Sequence, residues 1–218
     1  FGLTMLATRS SELLAEQPRL VPPPKTESAP ASGPQTAIFA GGCFWGVQGV
    51  YAHVAGVRSV VAGYAGGNAG TAHYDQVSTG RTGHAEAVRI VYDPTAISFG
   101  TLMRIFFSVV ADPTTLNRQG PDEGMQYRTA IFPTTPAQAA DARRYVAQLD
   151  RAGIWPAPIV TRIESGRFYA AERYHQDFML DHPEHPYIVI NDTPKLLAFK
   201  RLFPDLYRAR ALRAVPAT

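Results

Sequence analysis

The sequence predicts an α+β protein: a two-layer sandwich with a ferredoxin-like βαββαβ core, extended by a helix, a strand and a further helix towards its C-terminus. Two observations lead to this fold class. Short apolar runs rich in β-branched residues alternate along the chain with segments of helical periodicity. With 218 residues, of which 45% are hydrophobic, the chain is also long enough to bury a core as a single domain.

The first half of the chain supplies three strands and one helix of this core. A buried strand is predicted over 36–40, and Gly41-Gly42 forms the turn that leaves it. The apolar spacing that follows favours a helix over 44–51. Two apolar strands are predicted next, over 57–64 and 85–93, and an Asp-Pro pair ends the second of them.

The second half completes the core and adds to it. Ser98 is a typical N-cap, and apolar residues at i, i+3, i+4 and i+7 predict an amphipathic helix from there to residue 110. The fourth strand is expected over 128–132. The added elements are predicted, in chain order, as a helix over 136–151, a strand over 159–164, a helix over 168–180 and a short helix over 195–202.

The domain boundary is predicted near residue 35. Residues 1–34 hold six of the 18 prolines and are interpreted as an extended leader or tether outside the core, with 35–218 as a single folded domain and its C-terminal extension. The chain starts at Phe1 rather than Met, which suggests a processed or trimmed form. A tether of this kind favours a periplasmic or exported location over the cytoplasmic alternative.

Composition narrows the possible functions. The net charge of +3 is carried by scattered Lys and Arg residues without a basic run interleaved with aromatics, so nucleic acid is not an expected partner. No apolar run approaches the ~18 residues that span a membrane. One cysteine excludes an intramolecular disulfide. The default expectation for oligomeric state is a monomer.

That single cysteine, Cys43, follows the Gly41-Gly42 turn and begins the first predicted helix. Backbone N–H groups and the helix dipole favour a thiolate at such a position, and the thiolate is the reactive form. A lone cysteine is more often a small, inert, buried side chain. The paired glycines and the Phe44-Trp45 pair favour the reactive interpretation here.

The string from Gly41 to Gly46, GGCFWG, resembles the active-site motif of the A-type peptide methionine sulfoxide reductases, and the resemblance covers about residues 36–190. Three further stretches support it: Gly66-Gly67, Thr82-Gly-His-Ala-Glu86 and Gln126-Tyr-Arg128. It implies reduction of the S epimer of methionine sulfoxide, in proteins and as the free amino acid, through a cysteine sulfenic acid.

Glu86 is the expected general acid. Period-2 alternation places it on the same strand face as Val88, Ile90 and Tyr92, where burial would raise its pKa and keep it protonated near neutral pH. A strand-end glutamate in water is the alternative that pattern alone leaves open. The Gly-His-Ala-Glu motif of the resemblance favours the acid.

The other site residues follow from the resemblance rather than from the pattern. Tyr74 and Tyr127 correspond to the hydrogen-bond donors to the substrate oxygen, and Asp122 to a substrate-binding position. By pattern alone they would be packing tyrosines and a turn aspartate. Phe44 and Trp45 are expected to form an apolar pocket for the S-methyl group of the substrate.

Neither a metal nor a bound cofactor is predicted. His182 and His185 are closely spaced but lie in a proline-flanked loop without further ligands, and His175 is expected to make a structural hydrogen bond. The glycines of 63–67 lack the spacing of phosphate-binding loops.

Two departures from the family pattern affect the prediction. Many members carry additional cysteines near the C-terminus that resolve the sulfenic acid, and this chain has none. An external thiol, either small or of the thioredoxin type, is therefore the expected reductant. Gln48 also replaces the usual acidic residue, which could alter pocket polarity.

Two other functions compete with this prediction. They are a different thiol peroxidase and a non-catalytic module that binds oxidised methionine.

Overall fold

A computed structural model describes residues 17–29 and 31–214, which form a mixed α/β architecture around one six-stranded sheet in the order β7-β6-β1-β3-β2-β8. The strands are β1 (Gln35–Gly41), β2 (Val57–Ala65), β3 (Ala85–Tyr92), β4 (Arg118–Gln119), β5 (Asp122–Glu123), β6 (Thr129–Ile131), β7 (Arg162–Ile163) and β8 (Phe168–Ala170). The helices are α1 (Phe44–Ala52), α2 (Tyr74–Val77), α3 (Phe99–Ile105), α4 (Pro136–Arg151), α5 (Phe178–Asp181) and α6 (Thr193–Leu202).

The centre of the sheet is antiparallel. Strand β3 pairs with β1 on one side and with β2 on the other, and β1 also pairs with β6. The two edge strands differ in direction, since β7 runs parallel to β6 whereas β8 runs antiparallel to β2. The short strands β4 and β5 form a separate hairpin. The four strands that the sequence predicted for the core are therefore hydrogen-bonded neighbours.

The two faces of the sheet carry side chains of different size. Phe39, Val88 and Ile90 belong to the large core cluster, which they share with the apolar side chains of α1, α3 and α4. The opposite face is built mostly from alanines, together with Ile38 and Phe132. Strand alternation thus directs the bulky residues towards the helices.

The helix that begins at Ser98 is confirmed, including its cap. The Ser98 hydroxyl accepts a hydrogen bond from the Thr101 N–H at 3.0 Å. After Ile105 the helix continues as a π-helical turn over Phe106–Val110. The α4 helix has the predicted bounds, because Thr135 caps its first turn and a proline follows the cap.

The prediction of a helix over 168–180 is wrong. Its first part is strand β8, which extends the sheet at Gly63, where a Cβ would lie 2.2 Å from the Tyr169 carbonyl oxygen. Asp177 then adopts a left-handed conformation with φ of 58°, which interrupts any helix before α5 begins. The strand predicted over 159–164 is also shorter than expected, since only β7 is paired.

The expectation that residues 1–34 lie outside the core is wrong for residues 17–29, and residues 1–16 lie outside the described part of the chain. Residues 17–29 form an extended strap that packs across α3 and α4. Val21 is completely buried, and its N–H donates to the Ser108 hydroxyl at 3.1 Å. The Tyr145 hydroxyl donates to the Pro22 carbonyl oxygen at 2.7 Å.

The strap also caps a helix. The Glu27 carboxylate accepts hydrogen bonds from the Gly100 N–H at 2.9 Å and from the Ser98 hydroxyl at 3.1 Å, at the first turn of α3. A carboxylate at a helix N-terminus offsets the positive end of its dipole. Proline-rich composition therefore reflects an extended segment that is hydrogen-bonded to the domain, rather than a tether beside it.

Replacing Val21 by alanine is expected to lower the free energy of unfolding by about 1–3 kcal/mol, because it removes buried methyl groups and leaves a cavity. The neighbouring Leu20 is 52% exposed and provides the matched control. Leu20→Ala should change stability by about 0.5 kcal/mol or less. Equal midpoints for the two variants in urea unfolding would show that the strap does not stabilise the domain.

Within residues 17–29 and 31–214, no helix is both long enough and apolar enough to cross a membrane.

Candidate active site

Cys43 is the N-cap residue of α1 and is partly exposed. The turn before it depends on Gly42, which has φ of 86° and would place a Cβ 2.5 Å from the Gln119 side chain. The close approach of Gln119 makes this residue one wall of a small recess over the thiol. The recess is lined by Cys43, Gln119, Gly120, Pro121, Asp122, Tyr187, Asn191 and Lys195.

Glu86 lies beside this helix start, on the face of β3 that points towards the main core. It is 2% exposed, and its carboxyl Oε2 accepts a hydrogen bond from the Phe44 N–H at 3.0 Å. Burial raises the pKa of Glu86 to about 8, with a smaller contribution from the Asp122 charge, and the Phe44 N–H acts in the opposite direction. The carboxyl is therefore predominantly protonated at neutral pH, as the strand pattern predicted.

The thiol of Cys43 is not a stabilised thiolate in this state, contrary to the sequence-based expectation. Desolvation raises its pKa well above the ordinary value, and the charges of Glu86 and Asp192 raise it further. The backbone N–H of Trp45 lowers the pKa, as a helix start should, but the opposing effects dominate. The resting site thus holds both a neutral thiol and a neutral carboxyl.

The paired protonation states predict a specific pH dependence. The predicted step in which Cys43 reduces a sulfoxide should slow as the pH rises through about 8. Glu86 then loses its proton, and its negative charge disfavours ionisation of Cys43. Single-turnover kinetics from pH 6 to 10 would measure this descending limb. A rate that climbs steadily to pH 10 would instead mean that thiolate formation alone limits the reaction.

Tyr74 and Tyr127 reach the same site from two different segments. Tyr74 begins α2, and Tyr127 ends a 3₁₀ turn that starts at Met125. Desolvation raises the pKa of both hydroxyls, and the charge of Glu86 is the next largest cause for each. Both tyrosines therefore stay neutral and can donate hydrogen bonds near Cys43 and Glu86.

A carboxylate outside the recess fixes one of these tyrosines. Glu172 accepts hydrogen bonds from the Tyr74 N–H at 2.9 Å and from the Tyr64 hydroxyl at 2.7 Å. The Tyr74 ring also packs on His175, with ring centroids 4.6 Å apart. These contacts hold the start of α2 against the sheet.

The turn that carries Tyr127 is fixed by a buried arginine. Arg128 forms a two-point ion pair with Glu164, at 2.8 and 2.9 Å. It also donates to the backbone carbonyl oxygens of Gly83, His84 and Met125. Arg128 therefore links the turn before β3 to the turn that presents Tyr127. In the motifs Thr82–Glu86 and Gln126–Arg128, the residues that flank Glu86 and Tyr127 thus support the site structurally.

The two aromatics after Cys43 differ in their exposure. Phe44 is only 1% exposed and packs against Tyr64 and His175, so it belongs to the floor of the site. Trp45 is partly exposed, stacks on Phe178 with centroids 3.8 Å apart, and donates its indole N–H to His175 Nδ1 at 3.1 Å. That bond fulfils the structural role expected of His175.

Tyr187 is a site residue that the sequence did not indicate. Its hydroxyl donates a hydrogen bond to Asp122 Oδ2, and its ring meets Trp45 edge-on at 5.8 Å. Burial raises the pKa of Asp122, while the Tyr187 hydroxyl and the Lys195 charge lower it. As one of ten tyrosines, directly after a proline and without a local motif, Tyr187 gave no signal of its own in the sequence.

Gln48 lies away from the thiol rather than in the recess. Its side-chain carbonyl oxygen accepts from the Asp177 N–H at 2.9 Å, and its amide donates to Val60 O and Gln176 Oε1. A glutamine can make both kinds of bond at once, whereas a carboxylate can only accept. Gln48, in place of the acidic residue usual in the family, therefore links α1 to the segment before α5 by hydrogen bonds.

Among the residues that the structure describes, no group of three or more histidine, cysteine or acidic side chains is arranged to hold a metal ion.

A family model described as peptide methionine sulfoxide reductase matches residues 35–206. The chain belongs to the peptide methionine sulfoxide reductase family. The resemblance drawn from GGCFWG is thereby confirmed, and the curated relatives carry the A-type name.

The curated family members are similar over most of the chain. The peptide methionine sulfoxide reductase MsrA 2 of Mesorhizobium japonicum is 54% identical over 86% of this chain and 97% of its own length. The enzyme of the same name from Synechocystis sp. is 45% identical over 92% of this chain and 96% of its own. Among solved structures, reduced Mxr1 from Saccharomyces cerevisiae has a TM-score of 0.64 at 31% identity, covering 74% of this chain and 92% of that one.

Proposed function

We propose that Cys43 removes the oxygen from the S epimer of methionine sulfoxide, with Glu86 as the general acid and Tyr74 and Tyr127 as hydrogen-bond donors to that oxygen. As a family member, the chain is a peptide-methionine (S)-S-oxide reductase and returns methionine sulfoxide to methionine. The observation that carries the residue assignment is the buried carboxyl of Glu86 at the start of α1, 3.0 Å from the N–H of the residue after Cys43. Burial raises the pKa of this carboxyl, and its charge acts on the pKa of Cys43 and of both tyrosine hydroxyls.

The atoms and electrons of the proposed step balance. The sulfoxide S–O bond breaks and an S–O bond forms on Cys43, so the substrate sulfur is reduced by two electrons and the cysteine sulfur is oxidised by two. Glu86 gives its proton to the departing oxygen, and the thiol proton of Cys43 restores the carboxyl. Hydrogen bonds from Tyr74 and Tyr127 stabilise the charge that develops on the oxygen.

Trp45 and Asp122 are proposed to orient the substrate. Trp45, which is partly exposed and is held by Phe178 and His175, offers an apolar surface to the S-methyl group, and Phe44 closes the floor beneath it. The hydrogen bond from Tyr187 keeps Asp122 in place within the recess. A fixed methyl site and a fixed oxygen site together select one sulfur epimer.

An external thiol is proposed to reduce the sulfenic acid, because the sequence contains no second cysteine. Attack by this thiol on Cys43 releases water and forms a mixed disulfide, and a second external thiol then frees Cys43. The reductant is a thioredoxin-type protein or a small thiol, and no bound cofactor takes part.

The recycling proposal predicts that dithiothreitol alone sustains turnover. An acetylated methionine sulfoxide, resolved into its two epimers by chiral chromatography and mass spectrometry, should lose only the S epimer over many turnovers. Without reductant, one methionine should form per Cys43, and dimedone should label the resulting sulfenic acid.

The competing hypotheses give different results in the same assay. Turnover of hydrogen peroxide without loss of either epimer would favour another thiol peroxidase. Binding of sulfoxide peptides without turnover would favour a non-catalytic module. A stoichiometric burst that dithiothreitol cannot renew would overturn recycling by a small thiol and require a protein reductant.

We also propose that β6, β1, β3 and β2, with α1 and α3, form a two-layer ferredoxin-like core. The antiparallel order of these strands and the single large cluster shared by sheet and helices support this description. We further propose that the protein is a monomer in the periplasm or outside the cell, in which residues 35–218 form the catalytic domain and the strap over 17–29 packs against it. Light scattering would test the oligomeric state, and cell fractionation would test the location.

A further inference from the structure

Most of the large apolar side chains that are exposed in the described part of this protein lie on segments that supply or support the active site. Among the described residues, six large hydrophobic side chains are strongly exposed, with relative exposures of 50–61%. Leu20, on the strap, is one of them. Of the other five, Val189 lies two positions from both Tyr187 and Asn191 and therefore on the far side of its helical turn. The remaining four lie on segments that supply or support the recess, and we call them the apolar collar: Leu116, Tyr174, Ile190 and Leu197.

The C-terminal part of the collar belongs to the segment that lines the recess. Tyr187, Asn191 and Lys195 follow one another at four-residue spacing and contribute to the recess wall. Ile190 precedes Asn191, and Leu197 lies seven positions further on, about two helical turns away. The two exposed apolar side chains therefore share one side of this segment, next to the side that faces Cys43.

The other collar residues lie on the remaining walls. Leu116 belongs to the turn that precedes β4, in which the Thr115 hydroxyl accepts a hydrogen bond from the amide of the recess residue Gln119 at 2.7 Å. Tyr174 packs against His175, with ring centroids 4.2 Å apart, and His175 in turn contacts Tyr74. The collar residues thus lie on three separate segments that supply or support the site.

Single exposed apolar residues are ordinary, but their concentration around a site indicates a binding surface. The recess itself presents polar side chains, including Gln119, Asp122 and Asn191, which suit the sulfoxide rather than an apolar partner. A methionine sulfoxide held at Cys43 within a polypeptide has its neighbours ~3.3–3.6 Å per residue away. The residues next to it in sequence must therefore cross the rim of the recess.

We infer that the apolar collar binds the residues that flank methionine sulfoxide in a polypeptide, and that it selects apolar flanks. This inference rests on the proposed function, because it takes the chemistry at Cys43 as given.

The test compares three S-sulfoxide substrates with dithiothreitol as the reductant: N-acetyl methionine sulfoxide, acetyl-Gly-Ser-Met(O)-Ser-Gly-amide and acetyl-Gly-Leu-Met(O)-Leu-Gly-amide. We expect the wild type to prefer the leucine-flanked peptide to the serine-flanked one by about tenfold in kcat/KM, mainly through KM. The double variant Ile190→Ser/Leu197→Ser should lose that preference and keep its activity on the other two substrates.

Leu20→Ser is the matched control, since it removes an equally exposed leucine far from the recess in sequence, and it should retain the preference. Equal kcat/KM for the two peptides with the wild type would overturn the inference, as would an equal loss on all three substrates in the double variant. A defect seen only when thioredoxin replaces dithiothreitol would reassign the collar to the reductant. Failure of the proposed function is distinct, because the wild type would then leave N-acetyl methionine sulfoxide unchanged.

Discussion

Replacing Cys43 by serine is expected to abolish sulfoxide reduction, with a loss of at least about 10⁴-fold in kcat/KM. The reaction oxidises the cysteine sulfur by two electrons, and a serine hydroxyl offers no equivalent oxidation under these conditions. Nothing else in the recess can replace it, since the chain contains no other cysteine. The measurement is the epimer-resolved assay with dithiothreitol, run at enzyme concentrations high enough to detect a single turnover.

The same variant separates catalysis from binding. Serine is close to cysteine in size, and Cys43 is partly exposed, so the melting temperature should stay within a few degrees of that of the wild type. Isothermal titration with an S-sulfoxide peptide should still detect binding through Trp45 and Asp122. A folded Cys43→Ser protein with more than a few per cent of wild-type turnover would exclude Cys43 as the nucleophile.

Local sequence patterns predicted the central part of the site because each pattern depends on near neighbours. The Gly41-Gly42 turn and the apolar spacing after it placed Cys43 at the start of α1. Alternation along β3 placed Glu86 towards the main core, where the structure has it 2% exposed. The cap at Ser98 was equally predictable from the sequence, because an N-cap hydrogen bond spans only three residues.

Features that depend on distant contacts were not predictable in this way. Strand β8 forms because residues near 169 meet the edge of β2, about a hundred positions away, and local periodicity there resembles a helix. The strap over 17–29 is held by partners on α3 and α4 that composition does not reveal. The hydrogen bond between Tyr187 and Asp122 joins the helical segment that begins near Tyr187 to strand β5, 65 positions earlier in the chain.

The protonation state of Cys43 shows the same limit in electrostatic terms. A helix N-terminus favours a thiolate, and the Trp45 N–H does lower the pKa of the thiol. The chain also brings Glu86, Asp122 and Asp192 close to the sulfur, and these carboxylates come from three separate segments. Activation of the thiol therefore has to accompany substrate binding, because proton transfer from Glu86 to the sulfoxide oxygen leaves a carboxylate that can accept the thiol proton.

That coupling makes Glu86→Gln the most informative second variant, with an expected loss of about 10²–10⁴-fold in the rate of the reductive half-reaction. Glutamine has nearly the same volume, and its carbonyl oxygen can still accept the hydrogen bond that the Phe44 N–H donates at 3.0 Å. The amide can donate a hydrogen bond to the sulfoxide oxygen but cannot transfer a proton to it. The descending limb near pH 8 should disappear together with the titrating group.

Glu123→Gln provides the matched control, because Glu123 is an exposed carboxylate on β5 directly beside Asp122. It makes the same substitution close to the recess without touching the buried acid, so its rate should stay within about twofold of the wild type. A loss below about fivefold for Glu86→Gln would show that Glu86 is not the general acid. A large loss with the pH limb unchanged would assign that limb to another group, of which Asp122 is the nearest candidate, since burial raises its pKa as well. Only a large loss together with a missing limb identifies Glu86 as the proton donor, because a purely structural defect would lower the rate without removing its dependence on pH.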